Sequence, residues 1–163
     1  MPATLQPLVT LTANDVMSRD VFEVAQKVPL REAVRLLMKH HISGAPVVGP
    51  DGACVGVIST TDILRWVNQS NPHKDVECHS HEILFDWQIV EVEGLPYEDV
   101  EHFMTADPVL IGPDTPIPEI ARLMVDGHIH RVIVVDPERR PIGIVSSTDV
   151  LACVARADNS LGE

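Results

Sequence analysis

A motif of Gly, two apolar residues, Ser, two further residues and Asp occurs twice in this chain, at residues 56–62 and 143–149. Its Ser can cap the start of a helix, and an acidic residue three positions later can bond back to complete a capping box. The same residues can also bind a nucleotide, because the N–H groups of a helix start favour an anion and a carboxylate can accept both ribose hydroxyls. Spacing alone leaves both roles open. The polar residues concerned are Ser59, Thr61, Asp62, Ser146, Thr148 and Asp149.

A second group of reactive side chains lies between the two motifs, where Cys78, His79 and His81 are close in sequence. Thiolate and imidazole are suitable ligands for zinc or copper. Their spacing matches no standard zinc module, and strand alternation would put Cys78 on one face and both histidines on the other. We therefore predict a solvated polar loop rather than a metal site. The sequence also contains no Walker loop, dinucleotide fingerprint or nucleophile elbow, so we expect no catalytic residue and no enzyme activity.

The two motifs belong to a longer internal repeat. Residues 17–64 align with residues 104–151 at a constant offset of 87, without a gap and with about a third of the positions identical. An offset kept over this length indicates two copies of one structural unit. Each copy is predicted to fold as strand, helix, strand, strand, helix, with its second helix beginning near Thr60 or Ser147. The strands are predicted at 21–24, 45–48 and 55–58, and again at 108–111, 131–135 and 142–145.

Apolar spacing and flanking residues predict the first helix of each copy. Residues at i, i+3, i+4 and i+7 are apolar, which is typical of a helix with one buried face. Pro29 and Pro116 fit the first helical turn, Thr115 is a candidate N-cap and Gly127 is a candidate C-terminal stop. The apolar positions of the first copy are Leu30, Ala33, Val34 and Leu37.

Composition limits the partners that this chain can have. Its 163 residues include 24 acidic and 12 basic ones, a formal charge of −12. This charge disfavours nucleic acid and an anionic membrane surface, whereas a small nucleotide needs only one or two placed cations. Cys54, Cys78 and Cys153 show no disulfide framework and predict free thiols. Because we find neither a signal peptide nor an apolar stretch long enough to span a membrane, we expect a cytoplasmic protein.

The motifs, in this order and in duplicate, resemble the CBS domain, which is named after cystathionine β-synthase. The resemblance rests on His-Ile-Ser-Gly-Ala-Pro-Val-Val and Gly-Val-Ile-Ser-Thr-Thr-Asp-Ile-Leu in the first copy, and on His-Ile-His-Arg-Val-Ile-Val-Val and Gly-Ile-Val-Ser-Ser-Thr-Asp-Val-Leu in the second. It implies an α/β (α+β) fold in which two β-α-β-β-α repeats pack through their sheets with pseudo-twofold symmetry. The expected boundaries are 8–67 for the first CBS domain, 68–95 for an insert and 96–157 for the second domain.

This family binds adenosine ligands in clefts between its domains, and the resemblance implies roles for the matching residues. Asp62 and Asp149 would each hold a ribose diol, supported by the neighbouring hydroxyl residues. His130 and Arg131 would contact phosphate; the alternative for Arg131 is an ion pair with a surface carboxylate. The first copy has no cation there, so it would bind more weakly, bind an uncharged adenosine compound or stay empty. Residues expected near the base are Val24, Gly44, Ala45 and Pro46 in the first copy, and Ile111, Val132 and Ile133 in the second.

The resemblance therefore implies a regulatory sensor of an adenine nucleotide such as AMP, ADP or ATP, without catalysis of its own. It would control a partner protein that the sequence does not identify, and it would form a homodimer. No cofactor is required, although a bound nucleotide could carry Mg²⁺. Two alternatives stay open. One is a ligand-free scaffold for dimerisation, and the other is a sensor of S-adenosylmethionine, NAD(H) or a cyclic dinucleotide.

Overall fold

The computed structural model describes residues 10–70 and 94–158. The metal candidates Cys78, His79 and His81 lie outside these residues, as does most of the predicted insert. The chain divides into two compact units. Residues 22–107 form the first, called the Asp62 unit below, and residues 1–21 together with 108–163 form the second, called the Asp149 unit.

Each unit is a small mixed sheet with helices. The sheet of the Asp62 unit has the strand order β1-β2-β3-β4, and that of the Asp149 unit has the order β5-β6-β7. In both, the first strand pairs parallel with the second, which forms an antiparallel hairpin with the third. This confirms the predicted α+β class. The elements are α1 (Ala13–Val16), β1 (Val24–Ala25), α2 (Leu30–Lys39), β2 (Gly44–Val48), β3 (Cys54–Ser59), α3 (Thr60–Ser70), a 3-10 turn (Val100–His102), β4 (Thr105–Ala106), β5 (Leu110–Ile111), α4 (Ile117–Gly127), β6 (Arg131–Val135), β7 (Pro141–Ser146) and α5 (Ser147–Asp158).

The hairpin strands and the helices that follow them lie within one residue of their predicted bounds. The leading strands have two residues each. Strand β1 overlaps its predicted range of 21–24 only at Val24, and β5 forms the end of its predicted range of 108–111. Both hairpins turn through a residue with positive φ, Gly52 at 80° and Arg139 at 63°. These two positions are equivalent at the offset of 87, so the two copies share one turn geometry even though only the first uses glycine.

An apolar core holds each unit together. In the Asp62 unit, α2 buries the face that its periodicity predicts, against Val47 and Ile58 of the sheet. In the Asp149 unit, α4 buries its apolar side chains against Val132, Val134 and Val145. Burying each large aliphatic side chain stabilises the fold by about 1.5–3 kcal/mol. The buried helix residues are Leu30, Ala33, Val34 and Leu37 in α2, and Ile117, Ile120 and Met124 in α4.

The ends of the first helices differ from the sequence prediction. Pro29 and Pro116 are the N-cap residues themselves rather than members of the first turn, and neither N-cap forms a side-chain hydrogen bond. Thr115 therefore does not cap α4, because the helix begins one residue too late for it. Helix α4 does end at Gly127, but the left-handed residue that terminates it is His128, with a φ of 50°.

The segment that leads into each repeat packs on the unit formed mainly by the other repeat. Ser18 lies opposite Ile144 of β7, and their backbones exchange hydrogen bonds of 2.9 and 3.0 Å. At the equivalent positions, Thr105 of β4 pairs antiparallel with Val57 of β3. The predicted strand-helix-strand-strand-helix repeat did not include this edge. Each sheet thus ends on a residue contributed from the other repeat.

A methionine and a glycine meet at each exchanged edge. The Met17 side chain lies against Gly143, where an added Cβ would fall 2.3 Å from the methionine sulfur. Met104 lies in the same way against Gly56, at 2.5 Å. A side chain in place of either glycine would need the exchanged segment to move, and packing therefore favours glycine at this position of the motif.

Candidate functional site

Both copies of the motif begin a helix, and in both the Asp bonds back to the Ser. In the Asp62 unit, the backbone N–H and the hydroxyl of Ser59 donate to Oδ2 of Asp62 at 2.8 and 2.7 Å. In the Asp149 unit, the same groups of Ser146 donate to Oδ2 of Asp149 at 2.7 and 2.6 Å. The N–H of Asp149 also donates to the Ser146 hydroxyl oxygen at 3.3 Å, which completes a capping box at the start of α5, whereas the start of α3 has only the two bonds from Ser59 to Asp62.

The second carboxylate oxygen of Asp62 is also occupied. Its Oδ1 accepts the hydroxyl of Thr105 at 2.9 Å and the guanidinium of Arg65 at 3.1 Å. The Asp62 side chain is only 3% exposed. Burial of a carboxylate is tolerated when it is paired and hydrogen-bonded, as it is here. Asp62 therefore lies in a closed set of contacts made by its own unit.

The equivalent oxygen of Asp149 has a different environment. Asp149 is half-buried, and its Oδ1 accepts no hydrogen bond from any residue that the structure describes. At the positions equivalent to Arg65 and Thr105 the chain has Ala152 and Ser18. Ala152 offers no donor, and the Ser18 hydroxyl forms no hydrogen bond with Asp149. One carboxylate oxygen therefore stays available in the Asp149 unit.

A cation lies on the strand next to Ser146, the residue that donates to this second carboxylate. Arg131 begins β6 and is exposed, and it is the direct cross-strand partner of Ser146. Side chains at such paired positions share one face, with Cβ atoms about 5 Å apart. His130 is also exposed, and its carbonyl accepts the N–H of Ser147 at the start of α5. Arginine, serine and aspartate thus meet at one end of the sheet, where they can bind an anion and a diol.

In the other sheet, the position equivalent to Arg131 is occupied by a glycine instead of a cation. Gly44 begins β2 and is the cross-strand partner of Ser59. An added Cβ at Gly44 would fall 2.9 Å from the carbonyl oxygen of Ile58. A longer residue is therefore excluded here by the neighbouring strand, whereas the second copy carries Arg131 at this position.

The other predicted residues lie around these two ends. Thr61 and Thr148 are exposed on the first turns of α3 and α5. Val24 pairs with Val47, and Ile111 pairs with Val134. Val47 and Val134 are three residues along their strands from Gly44 and Arg131, which corresponds to about 10 Å. The expected place of Val24 and Ile111 near the base stays a prediction. Four other residues that were expected near the base are buried within the strands: Ala45, Pro46, Val132 and Ile133.

Two of the three cysteines, Cys54 and Cys153, fall among the described residues, and both are buried. Burial raises the pKa of the Cys153 thiol, so this cysteine stays protonated at neutral pH and is a weak nucleophile. Within residues 10–70 and 94–158, no group of three His, Cys, Asp or Glu side chains is arranged to hold a metal ion. No helix in the same ranges is long and apolar enough to cross a membrane.

Sequence reasoning missed Arg65 and Thr105, the two residues that close Asp62. Arg65 lies three residues after Asp62 on α3, a spacing at which helical side chains meet, so its contact could have been found. Thr105 is 43 residues away in sequence. Its contact depends on the exchanged edge strand, which local patterns do not predict.

The geometry of the two units agrees with comparisons with known proteins. The family model of the CBS domain matches this chain twice, at residues 13–69 and 100–156. The two matches together cover more than half of the chain. The chain therefore belongs to the CBS-domain family, and it carries a tandem pair of these domains.

Its sequence relatives include a small protein and larger enzymes. Protein MJ1426 of Methanocaldococcus jannaschii, described as uncharacterized, is 32% identical, with 85% of this chain and 88% of that protein covered. The homoserine O-acetyltransferase of Methanohalobium evestigatum is 26% identical, with 84% of this chain covered. This chain spans only 23% of that enzyme's length.

Solved structures with the same fold include two complexes with adenosine compounds. The CBS domain pair of protein MJ0100, bound to 5′-methylthioadenosine and S-adenosyl-L-methionine, has a TM-score of 0.67 and 26% identity, covering 88% of this chain and 99% of that one. The protein CBSX2 in complex with AMP has a TM-score of 0.68 and 22% identity, covering 90% of this chain and 98% of that one. The second likeness supports the fold alone.

Proposed function

We propose that this protein is a regulatory module that binds an adenosine-type ligand in its Asp149 unit and has no catalysis of its own. The observation that carries the proposal is the open Oδ1 of Asp149. Because the N–H and hydroxyl of Ser146 hold Oδ2, the carboxylate is fixed in orientation before a ligand arrives. A fixed acceptor loses little entropy when it binds the hydroxyls of a ribose.

The charge beside Asp149 favours a ligand that carries a phosphate. Arg131 lies opposite Ser146 on the adjacent strand, and its planar guanidinium suits phosphate oxygens. In support, CBS domain pairs of the same fold are found in complex with AMP and with S-adenosyl-L-methionine. Of these compounds AMP is the one with a phosphate group, so we propose AMP or a related nucleotide for the Asp149 unit. A di- or triphosphate would bring its own Mg²⁺, and the proposal requires no resident metal.

Signalling requires that the ligand bind two states of the module with different affinity. Residues in contact with the ligand lie at the start of α5, since Ser146 directly precedes this helix. The proposal is that ligand binding biases the position of α5 and that a partner protein responds to this change. The partner is to be found by capture from the source cell with and without AMP.

Isothermal titration calorimetry with AMP tests the Asp149 assignment. Asp149→Ala removes a charge-assisted hydrogen bond to the ribose and should weaken AMP binding by about 5- to 150-fold. Asp62→Ala is the matched control, because it removes the equivalent carboxylate of the other copy and should leave AMP affinity unchanged. Equal affinity in the wild type and in Asp149→Ala would contradict the assignment.

The phosphate preference needs a second comparison. Arg131→Met keeps the length of the side chain and removes its charge, so AMP affinity should fall by about tenfold or more. Adenosine, which has no phosphate, should bind wild type and Arg131→Met alike. An equal loss of affinity for AMP and adenosine would show that Arg131 stabilises the fold of the site and does not contact the phosphate.

A second function is favoured by exposed apolar residues on α5. Leu151 and Val154 are 66% and 51% exposed and lie three residues apart, so they share one helical face. We propose that two copies of the chain associate through this face. Sedimentation velocity of a Leu151→Glu, Val154→Glu variant should show a monomer where the wild type sediments as a dimer. A wild-type monomer at all concentrations would rule this out.

A further inference from the structure

We infer that Arg65 and Thr105 block the Asp62 carboxylate for a ligand by occupying its second oxygen. Each chain would then bind one adenosine-type ligand rather than two. This inference rests on the proposed function, since it concerns which of the two repeated carboxylates is available. It assigns a specificity role to two residues that lie outside the repeated motif. The role follows from the hydrogen-bond capacity of a carboxylate.

An ionised carboxylate offers about four lone-pair positions. In the Asp62 unit, four donors fill them: the N–H and hydroxyl of Ser59, the hydroxyl of Thr105 and the guanidinium of Arg65. A ribose diol needs two acceptor positions on this side chain. It would therefore have to displace both Arg65 and Thr105 from a carboxylate that is 3% exposed.

Within the part of the chain that the structure describes, the Asp149 carboxylate has only two donors, and both come from Ser146. Its two remaining positions are on Oδ1, which is the oxygen that Arg65 and Thr105 occupy in the other copy. At the offset of 87 the chain replaces Arg65 by Ala152 and Thr105 by Ser18. The repeated motif is thus the same in both copies, and the flanking residues decide whether its carboxylate is open.

The guanidinium of Arg65 acts as an internal substitute for the ligand. It is a cation at 3.1 Å from Oδ1 on the same helix, so it stays at high local concentration whatever the ligand concentration. Its side chain is 58% exposed, so its removal opens a path from solvent to Asp62 without emptying the core. Thr105 adds the second bond from the exchanged edge strand β4.

The two copies also differ in the ligand that an open site would take. Arg131 supplies a cation in the Asp149 unit, whereas Gly44 stands at that position in the Asp62 unit. An opened first copy would therefore bind the neutral nucleoside at least as well as the monophosphate. Adenosine and AMP are accordingly the two probes for the experiment.

The experiment removes the two donors from the Asp62 unit in one variant and introduces equivalent donors into the Asp149 unit in another. An Arg65→Ala, Thr105→Ala variant keeps the capping bonds from Ser59 and should raise the stoichiometry for adenosine from one to two per chain by titration calorimetry. The reciprocal variant, Ala152→Arg with Ser18→Thr, copies the closing residues into the Asp149 unit. It should weaken AMP binding by at least about tenfold.

The outcomes separate this inference from the proposed function. A wild type that binds no adenosine or AMP would refute the proposed function. A wild type that already binds two ligands would leave that function standing and overturn the closure. One ligand in both the wild type and the Arg65→Ala, Thr105→Ala variant would also overturn it. If that variant does not fold, unchanged AMP affinity in the Ala152→Arg, Ser18→Thr variant overturns the closure by itself.

Discussion

The Asp62 and Asp149 units carry the same seven-residue pattern, and the serine donates the same two bonds to the aspartate in each. They differ in what surrounds the second carboxylate oxygen. In the Asp62 unit Arg65 and Thr105 occupy it, whereas in the Asp149 unit none of the described residues does. A motif match therefore establishes the helix cap in both copies, and the ligand-binding role depends on side chains that the motif does not include.

The difference also concerns stability. A buried acceptor with four donors contributes more to folding than a half-buried acceptor with two, because removing it leaves more donors unsatisfied. Asp62 therefore acts chiefly on the fold of its unit, and Asp149 is the carboxylate that remains for a ligand.

Asp62→Ala should lower the free energy of unfolding by about 2–3 kcal/mol, because the donors from Ser59 and Thr105 lose their partner inside the unit. Asp149→Ala should cost about 1 kcal/mol, the usual value of a lost cap. Urea denaturation of both variants measures the difference. Equal losses in the free energy of unfolding would contradict the prediction that Asp62 stabilises the fold more than Asp149 does.

Gly56→Ala should destabilise more than Gly143→Ala. An added Cβ at Gly56 would lie 2.9 Å from the backbone oxygen of Thr105, which cannot move aside, as well as near Met104. At Gly143 the nearest atoms all belong to the Met17 side chain, which can adopt another rotamer. We expect about 2 kcal/mol for the first substitution and about 1 kcal/mol for the second, measured by thermal unfolding. The opposite order would contradict the packing of the exchanged segments.

The smallest effect concerns Asp15 in the segment that leads into the first repeat. Hydrogen bonds from the backbone N–H and the hydroxyl of Thr12 hold the pKa of Asp15 below its ordinary value of 3.8. Because the folded pKa is the lower one, the ionised side chain stabilises the fold above the ordinary pKa. This contribution is lost as the pH falls through the folded pKa.

Asp15→Asn should therefore lower the unfolding temperature at pH 6, and the difference from wild type should shrink between about pH 5 and pH 3. The equivalent residue of the other copy is His102, the last residue of a 3-10 turn without a side-chain cap. His102→Asn serves as the control and should not show this acid-side convergence. A constant difference between Asp15→Asn and wild type at all pH values would exclude the role of Thr12.

Much of the fold could be predicted from the sequence, because the determinants are local. The offset of 87 located both copies, period-2 and period-3.6 patterns located the hairpins and the buried face of α2, and the Ser-x-x-Asp spacing located the start of α3 and α5. The wrong predictions at the ends of α2 and α4 also had local causes. Proline fits both the N-cap and the first turn, and the residue with positive φ after α4 is His128 rather than the neighbouring glycine.

The repeat at an offset of 87 could be read from the sequence, because it holds over 48 residues, and the resemblance of its motifs to the CBS domain implied which aspartates could contact a ribose. The contacts in three dimensions were needed to show which carboxylate oxygen stays open. Thr105 reaches Asp62 across 43 residues of sequence, through an edge strand that one repeat contributes to the sheet of the other. The pairing of such an edge depends on contacts between distant segments, and no local pattern carries that information.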